Sequence, residues 1–141
     1  MYKFGERSKN NMIGVHPDLV AVMEAAIKDS PVDFTIIEGV RTQEIQQKLY
    51  AKGRTAPGVI VTNADGIRAK SSHQVKDDGY GYAVDLYPYY NGNVQVNDVA
   101  RLRLIAAHIK NVANKMKIKI IWGGDWITIK DYPHFELVVR G

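Results

Sequence analysis

The sequence predicts an α+β fold, in which helices pack on a small, largely antiparallel sheet. Two segments repeat apolar residues with helical spacing, and a third has the cap and terminating residue of a helix. Four shorter segments rich in β-branched, aromatic and other apolar residues lie between or after them. The chain has 141 residues, of which 45% are hydrophobic, and this size suits one core. We therefore expect residues 1–141 to form a single domain.

The first helix is predicted over residues 16–30. Pro17 suits a first helical turn, and Asp18 interacts favourably with the positive end of the helix dipole. Five apolar residues follow at i, i+3, i+4, i+7 and i+8, which places them on one face: Leu19, Val22, Met23, Ala26 and Ile27. Residues 34–37 then predict a short strand that ends at Gly39.

A second helix is predicted over residues 42–52. Thr42 can cap it, Glu44 lies in its first turn, and Gly53 follows as a terminating residue. Residues 54–82 are rich in Gly, Asp and Ser and have weak periodicity, so we expect a long loop with one short extended piece over 59–62. A loop this long in a compact domain is usually functional.

The second half of the chain predicts one long helix and three strands. Its turns are marked by Asn-Gly and Gly-Gly pairs, which favour tight reversals. In order, we expect a strand over 83–86, a turn over 90–93, a helix from Asn97 or Asp98 to Met116, a strand over 118–122, a turn at 123–124 and a strand over 135–139.

The composition excludes several kinds of site and partner. Because the chain has no cysteine, it contains no disulfide, thiolate nucleophile or cysteine-held zinc. The net charge of +4 is mild and its basic residues are scattered, so we expect no nucleic-acid partner. No apolar run approaches the roughly 18–20 residues of a membrane span, so no membrane insertion is expected. Residues 1–7 lack the apolar stretch of a signal peptide, and synthesis in the cytoplasm is expected.

Two short segments carry the candidate chemistry. His73, Asp85 and His134 offer two imidazoles and one carboxylate, and Asp131 adds a carboxylate three residues before the last imidazole. A hydrolytic zinc site needs three protein ligands, an open position for water and a base, so this set predicts such a site. A lone histidine is usually structural, and we interpret the two others, His16 and His108, in that way.

The chain resembles the zinc peptidases of the M15 family, which include D-alanyl-D-alanine carboxypeptidases and dipeptidases and the L-alanyl-D-glutamate endopeptidases of phage endolysins. The resemblance rests on an S-x-H motif, a G-x-A-x-D motif, a D-x-x-H motif, a strand followed by G-x-R-T, and a W-G-G-D-W block. These occupy residues 71–73, 81–85, 131–134, 34–42 and 122–126. The order of the blocks along most of the chain makes the match specific.

The resemblance implies a role for each matching residue. It implies that His73, Asp85 and His134 bind Zn²⁺. The resemblance further implies that Asp131 is the general base on the zinc water and then the acid to the leaving amine, and that Arg41 stabilises the developing oxyanion. Three more residues are implied to contact substrate, namely Ser71, Asp125 and Trp126.

One interval departs from the family pattern. Eleven residues separate His73 from Asp85, which is longer than in close relatives. Asp77 and Asp78 lie in the extra segment and are alternative ligands. We interpret them as part of a solvated loop over residues 74–80 and retain Asp85, because the end of its motif still fits.

The resemblance predicts a zinc-dependent peptidoglycan hydrolase that cleaves stem peptides, most specifically at the L-Ala–D-Glu bond. Asp at position 131, where many relatives carry Glu, favours the endopeptidase branch. The alternatives are a D-alanyl-D-alanine carboxypeptidase or dipeptidase, and a wall-binding module without catalysis. We expect a monomer that acts on the cell wall after release or holin-type export.

Overall fold

The computed structural model describes residues 1–138 of the chain. Its elements follow one another in the order α1 (Glu6–Asn11), α2 (Pro17–Lys28), β1 (Phe34–Glu38), α3 (Gln43–Ala51), β2 (Ala83–Tyr90), β3 (Asn93–Val94), α4 (Val99–Lys115), β4 (Ile120–Trp122), a 3₁₀ turn (Gly123–Asp125) and β5 (His134–Leu137).

Every strand pair in the sheet is antiparallel. The strand order is β1-β2-β5-β4, and the short β3 pairs with the far end of β2. Strand β2 is therefore central, with β1 on one side and β5 on the other. Helices α2 and α4 pack against each other and against the sheet. The predicted α+β class with an antiparallel sheet is confirmed.

The core lies where these two helices meet the sheet. The predicted apolar face of α2 is buried in full, and α4 buries Leu102, Ile105 and Ile109 against it. From the sheet, Ile36, Leu86 and Phe135 are each completely inaccessible to solvent. Each such side chain contributes about 1.5–3 kcal/mol of hydrophobic burial, so this contact holds the strands in place.

The three predicted helices are confirmed, with ends that differ by one or two residues. Their caps follow the sequence, because the Thr42 side chain accepts a hydrogen bond from the Ile45 amide and Asp98 accepts one from Arg101. Strand β2 runs four residues beyond its predicted end and stops at the predicted Asn-Gly turn. Strand β5 begins one residue early, at His134, while Val139 of its predicted range lies outside the described residues.

Helix α1 has no counterpart in the sequence prediction. Its six residues are polar, and Gly5 at its start provides no side-chain cap. Tertiary contacts support it instead: the Ser8 hydroxyl lies 3.0 Å from the Thr35 hydroxyl and accepts a hydrogen bond from the Ile36 amide, also at 3.0 Å. The helix is therefore a product of its contact with β1.

The long predicted loop contains no helix or paired strand over residues 57–80. Its predicted extended piece, 59–62, forms no strand ladder. Hydrogen bonds of two buried glutamines, and not a strand ladder, hold the loop in place. Gln46 donates to the Ala64 carbonyl, and Gln74 accepts from the Ser71 amide and donates to the Gly66 carbonyl.

Candidate metal centre and active site

Two of the predicted ligands lie on neighbouring strands. Asp85 in β2 and His134 at the start of β5 are directly opposite each other in the antiparallel ladder. Both are buried, although a carboxylate inside a sheet is costly unless it has a partner. Because side chains of directly opposed residues project from the same face, the register alone brings these two groups together.

The third predicted ligand, His73, comes from the long loop. It is only 1% exposed, and its backbone carbonyl accepts a hydrogen bond from the Arg41 amide at 2.8 Å. The His73 Nδ1 atom lies 2.8 Å from the Gly39 carbonyl oxygen. A side chain at Gly39 would place its Cβ 1.9 Å from the Asn11 carbonyl oxygen, so the close approach of Gly39 to the end of α1 requires glycine there.

The three side chains converge on one point. His73 Nε2 lies 3.2 Å from Asp85 Oδ1 and 3.1 Å from His134 Nδ1, and His134 Nδ1 lies 3.4 Å from Asp85 Oδ1. All candidate ligand atoms of the trio fall within 4.8 Å of one another. This buried cluster could hold a metal ion.

Each imidazole has its second nitrogen engaged outside the cluster. Nδ1 of His73 faces a backbone carbonyl, and Nε2 of His134 lies 2.8 Å from Glu136 Oε1 and 3.3 Å from the Ser72 hydroxyl. A nitrogen that donates its proton to such an acceptor leaves the other nitrogen with a lone pair. The outer partners therefore orient both lone pairs towards the cluster, as metal-binding histidines require.

The charges of the cluster are strongly coupled. Burial raises the pKa of Asp85, but hydrogen bonds with His134 and His73 outweigh burial and keep the pKa below its usual range. Burial likewise opposes the charged form of His134, but its hydrogen bonds to Asp85 and Glu136 raise its pKa to about 9. In the metal-free protein at neutral pH, His134 thus carries a proton that a metal must displace.

Arg41 lies beside the cluster and is fixed by its neighbours. Its Nε donates to Glu38 at 2.7 Å, and its Nη1 donates to Gln46 at 2.8 Å and to the Ser71 hydroxyl at 3.5 Å. Its Nη2 lies 3.7 Å from Asp85 Oδ2 and has no hydrogen-bond partner within residues 1–138. The Nη2 group therefore lies beside the cluster, and its donors remain available to a substrate.

Asp131 lies at the edge of the same site. Its carboxylate is 38% exposed, and Oδ2 is 3.9 Å from Nδ1 of His134. Burial is the largest influence on its pKa and, together with the nearby Asp85 charge, raises the pKa above its ordinary value. A carboxylate in this position can accept a proton from a water molecule in the cleft more readily than an ordinary aspartate.

A cleft of about 770 Å³ opens over the cluster. Its lining includes residues 60–64 of the long loop and residues 128–131. Ser71 and Trp126, two of the three residues implied to contact substrate, line it. The Trp126 ring centroid is 4.9 Å from that of His134, so an aromatic surface lies directly beside the buried His-Asp-His cluster.

Asp125 has a different position from that expected. It does not line the cleft, and its carboxylate forms an ion pair with Lys110 on α4. The 3₁₀ turn directs this side chain towards the helix, while the next residue, Trp126, faces the cleft. The structure thus brings one member of this neighbouring pair to the site and places the other on the surface.

The alternative ligands lie outside the cluster. Asp77 and Asp78 are both exposed, and Asp78 accepts hydrogen bonds from the Tyr82 hydroxyl and the Tyr80 amide. The remaining histidines are structural in their contacts: His16 caps α2, and His108 lies 2.8 Å from the Ala26 carbonyl oxygen.

Comparisons with known proteins identify the family of the chain. The family model described as phage L-alanyl-D-glutamate peptidase matches residues 1–138. The chain belongs to this family. It is 31% identical to the L-alanyl-D-glutamate peptidase of Escherichia phage T5, over 96% of this chain and 89% of that protein. It is also 33% identical to the peptidoglycan L-alanyl-D-glutamate endopeptidase CwlK of Bacillus subtilis (strain 168), over 82% of this chain and 67% of that protein.

Solved structures give the same result for the fold. The crystal structure of the Serratia marcescens L-Ala D-Glu endopeptidase ChiX matches with a TM-score of 0.76 and 32% identity, over 96% of this chain and 90% of that one. The vancomycin-resistance D,D-dipeptidase VanXYg matches with a TM-score of 0.54 at 16% identity, over 87% of this chain and 50% of that one, which shows a shared fold alone. The predicted family, fold and peptidase class are confirmed.

The sequence analysis missed the residues that support the site. Glu136 orients His134, while Glu38 and Gln46 fix Arg41. One signal was available, because an acidic residue two positions after a ligand on a strand must share the ligand's face. Gln46 had no such signal, since its partners come from segments that only the fold brings together.

Proposed function

We propose that this member of the family is a zinc-dependent endopeptidase that hydrolyses the L-alanyl–D-glutamate bond of peptidoglycan stem peptides. The buried cluster of His73, Asp85 and His134, open to a cleft beside Asp131 and Arg41, carries the proposal. Family membership supports the bond, and the cluster supports the metal.

The donor set fits zinc. Two imidazoles and one carboxylate are the ligands of many hydrolytic zinc sites, which leave a fourth position open. Ligand atoms about 2.0–2.2 Å from a tetrahedral zinc lie roughly 3.3–3.5 Å from one another. The three separations in this cluster, 3.1, 3.2 and 3.4 Å, are close to that spacing and support the assignment.

Zinc at this site would supply a Lewis acid and would lower the pKa of a water molecule in its open position to near neutrality. Asp131 accepts a proton from the attacking water and then delivers it to the D-glutamate nitrogen as the bond from that nitrogen to the alanyl carbonyl carbon breaks. Its raised pKa suits both steps, because a base and acid works best when its pKa approaches the working pH.

Arg41 stabilises the negative charge that develops on the scissile carbonyl oxygen. Its planar guanidinium presents N–H donors suited to an oxyanion, and Glu38 and Gln46 fix its orientation before substrate arrives. Ser71 and Trp126 position the peptide from the cleft wall. Asp125 instead holds the 3₁₀ turn against α4 through its ion pair with Lys110, and this contact supports the position of Trp126.

The proposed substrate places the protein's action at the cell wall. Within residues 1–138, no helix combines the length and apolar character needed to cross a bilayer. We propose that residues 1–141 act as one zinc peptidase domain, as a monomer, and reach peptidoglycan after cell lysis or holin-type export.

Product analysis on a defined stem peptide tests this function. Mass spectrometry should detect cleavage between L-Ala and D-Glu, and a chelator should abolish it until zinc is restored. Release of D-alanine alone would contradict the assigned bond, and binding of cell walls without cleavage would contradict catalysis.

The Asp131→Asn variant tests the mechanism separately. It should keep its zinc while turnover falls by about 10²–10⁴-fold, the usual contribution of a general base. Wild-type turnover in this variant would exclude Asp131 as the base.

A further inference from the structure

The mouth of the cleft is rich in cations. Four lysines line it, and we call them the lysine rim: Lys52, Lys70, Lys76 and Lys130. Across residues 1–138 none of the four forms an ion pair with a carboxylate. Unneutralised cations that line one cleft indicate that a negative charge arrives with the substrate.

The carboxylates of the same cleft are already engaged. Asp85 faces the two imidazoles, Glu136 lies against His134, and Glu38 accepts from Arg41. Asp131 lies nearest His134. Over residues 1–138, these four carboxylates therefore leave the rim lysines without an acidic partner.

The proposed substrate brings such a charge. A glutamate residue joined to its neighbours through its amine and one carboxyl group retains one ionised carboxylate. In hydrolysis of the L-alanyl–D-glutamate bond this residue is on the leaving side, where Asp131 protonates the amine. The carboxylate therefore lies a few atoms from Asp131 when the peptide is bound.

We propose that Lys130 binds the free carboxylate of the D-glutamate residue, with the rest of the lysine rim adding weaker attraction; this inference rests on the proposed function. Lys130 precedes Asp131 in the chain and lies on the same wall. Its Nζ donates to the Gly124 carbonyl at 3.1 Å, which fixes the ammonium and leaves two donors available.

The fixed position of that carbonyl follows from packing. A side chain at Gly124 would place its Cβ 2.3 Å from the Trp122 ring, so the turn lies tightly against the indole. A lysine held by such a turn loses less side-chain entropy on binding than a freely mobile one. The Lys130 side chain is thus preorganised to bind an anion.

A pair of synthetic peptides tests the proposal on the zinc-loaded protein. Both contain the L-alanyl–D-glutamyl bond, and they differ only in whether the free carboxyl of the glutamate residue is a carboxylate or a carboxamide. We expect wild-type kcat/KM to favour the carboxylate peptide by about tenfold or more, mostly through KM. The reason is that losing a hydrogen bond to a charged group weakens binding by about that factor. The preference should shrink as salt is added.

Variants at Lys130 identify the residue. Lys130→Gln should bring the ratio of the two kcat/KM values towards one, and Lys130→Arg should retain most of the preference. Lys28→Gln, at the end of α2 and away from the cleft, is the matched control and should keep the wild-type ratio.

Each outcome has a separate meaning. Cleavage of neither peptide by wild-type protein would overturn the proposed function. Equal cleavage of both peptides by wild-type protein, or an unchanged preference in Lys130→Gln, would overturn the carboxylate site and leave the proposed function standing. If Lys130→Gln fails to fold, the wild-type ratio and the Lys130→Arg variant still decide.

Discussion

The proposed metal site joins two regions that hold their candidate ligands by different means. Asp85 and His134 belong to paired strands, where backbone hydrogen bonds continue on both sides of them, such as Leu86 to Pro133 and Leu137 to Tyr82. His73 belongs to a loop without regular structure, and a few individual hydrogen bonds hold it.

The two regions therefore differ in how many hydrogen bonds hold each ligand residue in position. A ladder distributes its stability over many bonds, so losing one changes the position of a strand residue little. The loop depends on particular groups, including the Gly39 carbonyl and the Gln74 side chain. Segments with few buried contacts also open at lower free energy than core strands. We therefore expect substitutions on the strands to change zinc binding directly. Substitutions in the loop should instead change how well the loop, and with it His73, is ordered.

The largest effect should follow removal of a ligand from either region. Asp85→Ala and His73→Ala should each lose bound zinc, because two remaining ligands form an incomplete site. Zinc content after gel filtration, measured by mass spectrometry, checks this. Asp78→Ala is the control and should keep its zinc, since Asp78 lies outside the cluster. Full zinc in Asp85→Ala, or its loss in Asp78→Ala, would reverse the ligand assignment.

A smaller effect is expected for the outer partner of the strand-side histidine. Glu136→Ala removes the carboxylate 2.8 Å from His134 Nε2, and zinc affinity should fall by about 10–100-fold, as for other outer partners of metal-bound histidines. Competition with a fluorescent chelator measures the affinity. Glu24→Ala on exposed α2 surface controls for loss of an acidic residue. Unchanged affinity in Glu136→Ala would show that the strand alone orients the ring.

Zinc affinity should also depend on pH through His134. Its pKa in the metal-free protein is about 9, and zinc binds only the neutral ring. Affinity should therefore rise about tenfold per pH unit as pH increases towards 9 and level off above it. Calorimetry in buffers of different ionisation enthalpy should detect release of this proton near neutral pH. Affinity that is flat between neutral pH and 9 would contradict a protonated His134.

The smallest effect is expected in the loop. Gln74→Ala leaves the Ser71 amide and Gly66 carbonyl without their partner, at a local cost of about 1–3 kcal/mol. Hydrogen exchange should rise over residues 66–74, and zinc affinity should fall only a few-fold because bound metal reorders His73. Gln95→Ala, which removes a hydrogen bond at the other end of β2, should change neither. Exchange that rises equally in β2 would remove the distinction between the two regions.

Sequence reasoning succeeded where local patterns determine structure. The apolar spacing of α2 and α4 and the caps at Thr42 and Asp98 are local signals, and each appears as expected. It failed at α1, whose polar residues become helical through contacts between Ser8 and β1. The true length of β2 was also missed, because the residues beyond Leu86 are fixed by pairing with β1 and β3.

The site divides in the same way. The sequence motifs predicted three metal ligands, and the structure brings those same three residues into one buried group. The motifs also named Asp125 and Trp126 together, whereas the 3₁₀ turn directs only Trp126 to the cleft.

By itself, then, the sequence determined the three longer helices and the main strands, the residue types available for chemistry and the family they resemble, because periodicity, caps and motifs are properties of neighbouring residues. Only the tertiary structure decided that Glu136 orients His134, that Gln46 fixes Arg41 and that Lys130 faces the cleft. These relations depend on strand register, loop closure and packing between distant segments, and the local pattern indicates only that Glu136 shares the face of His134.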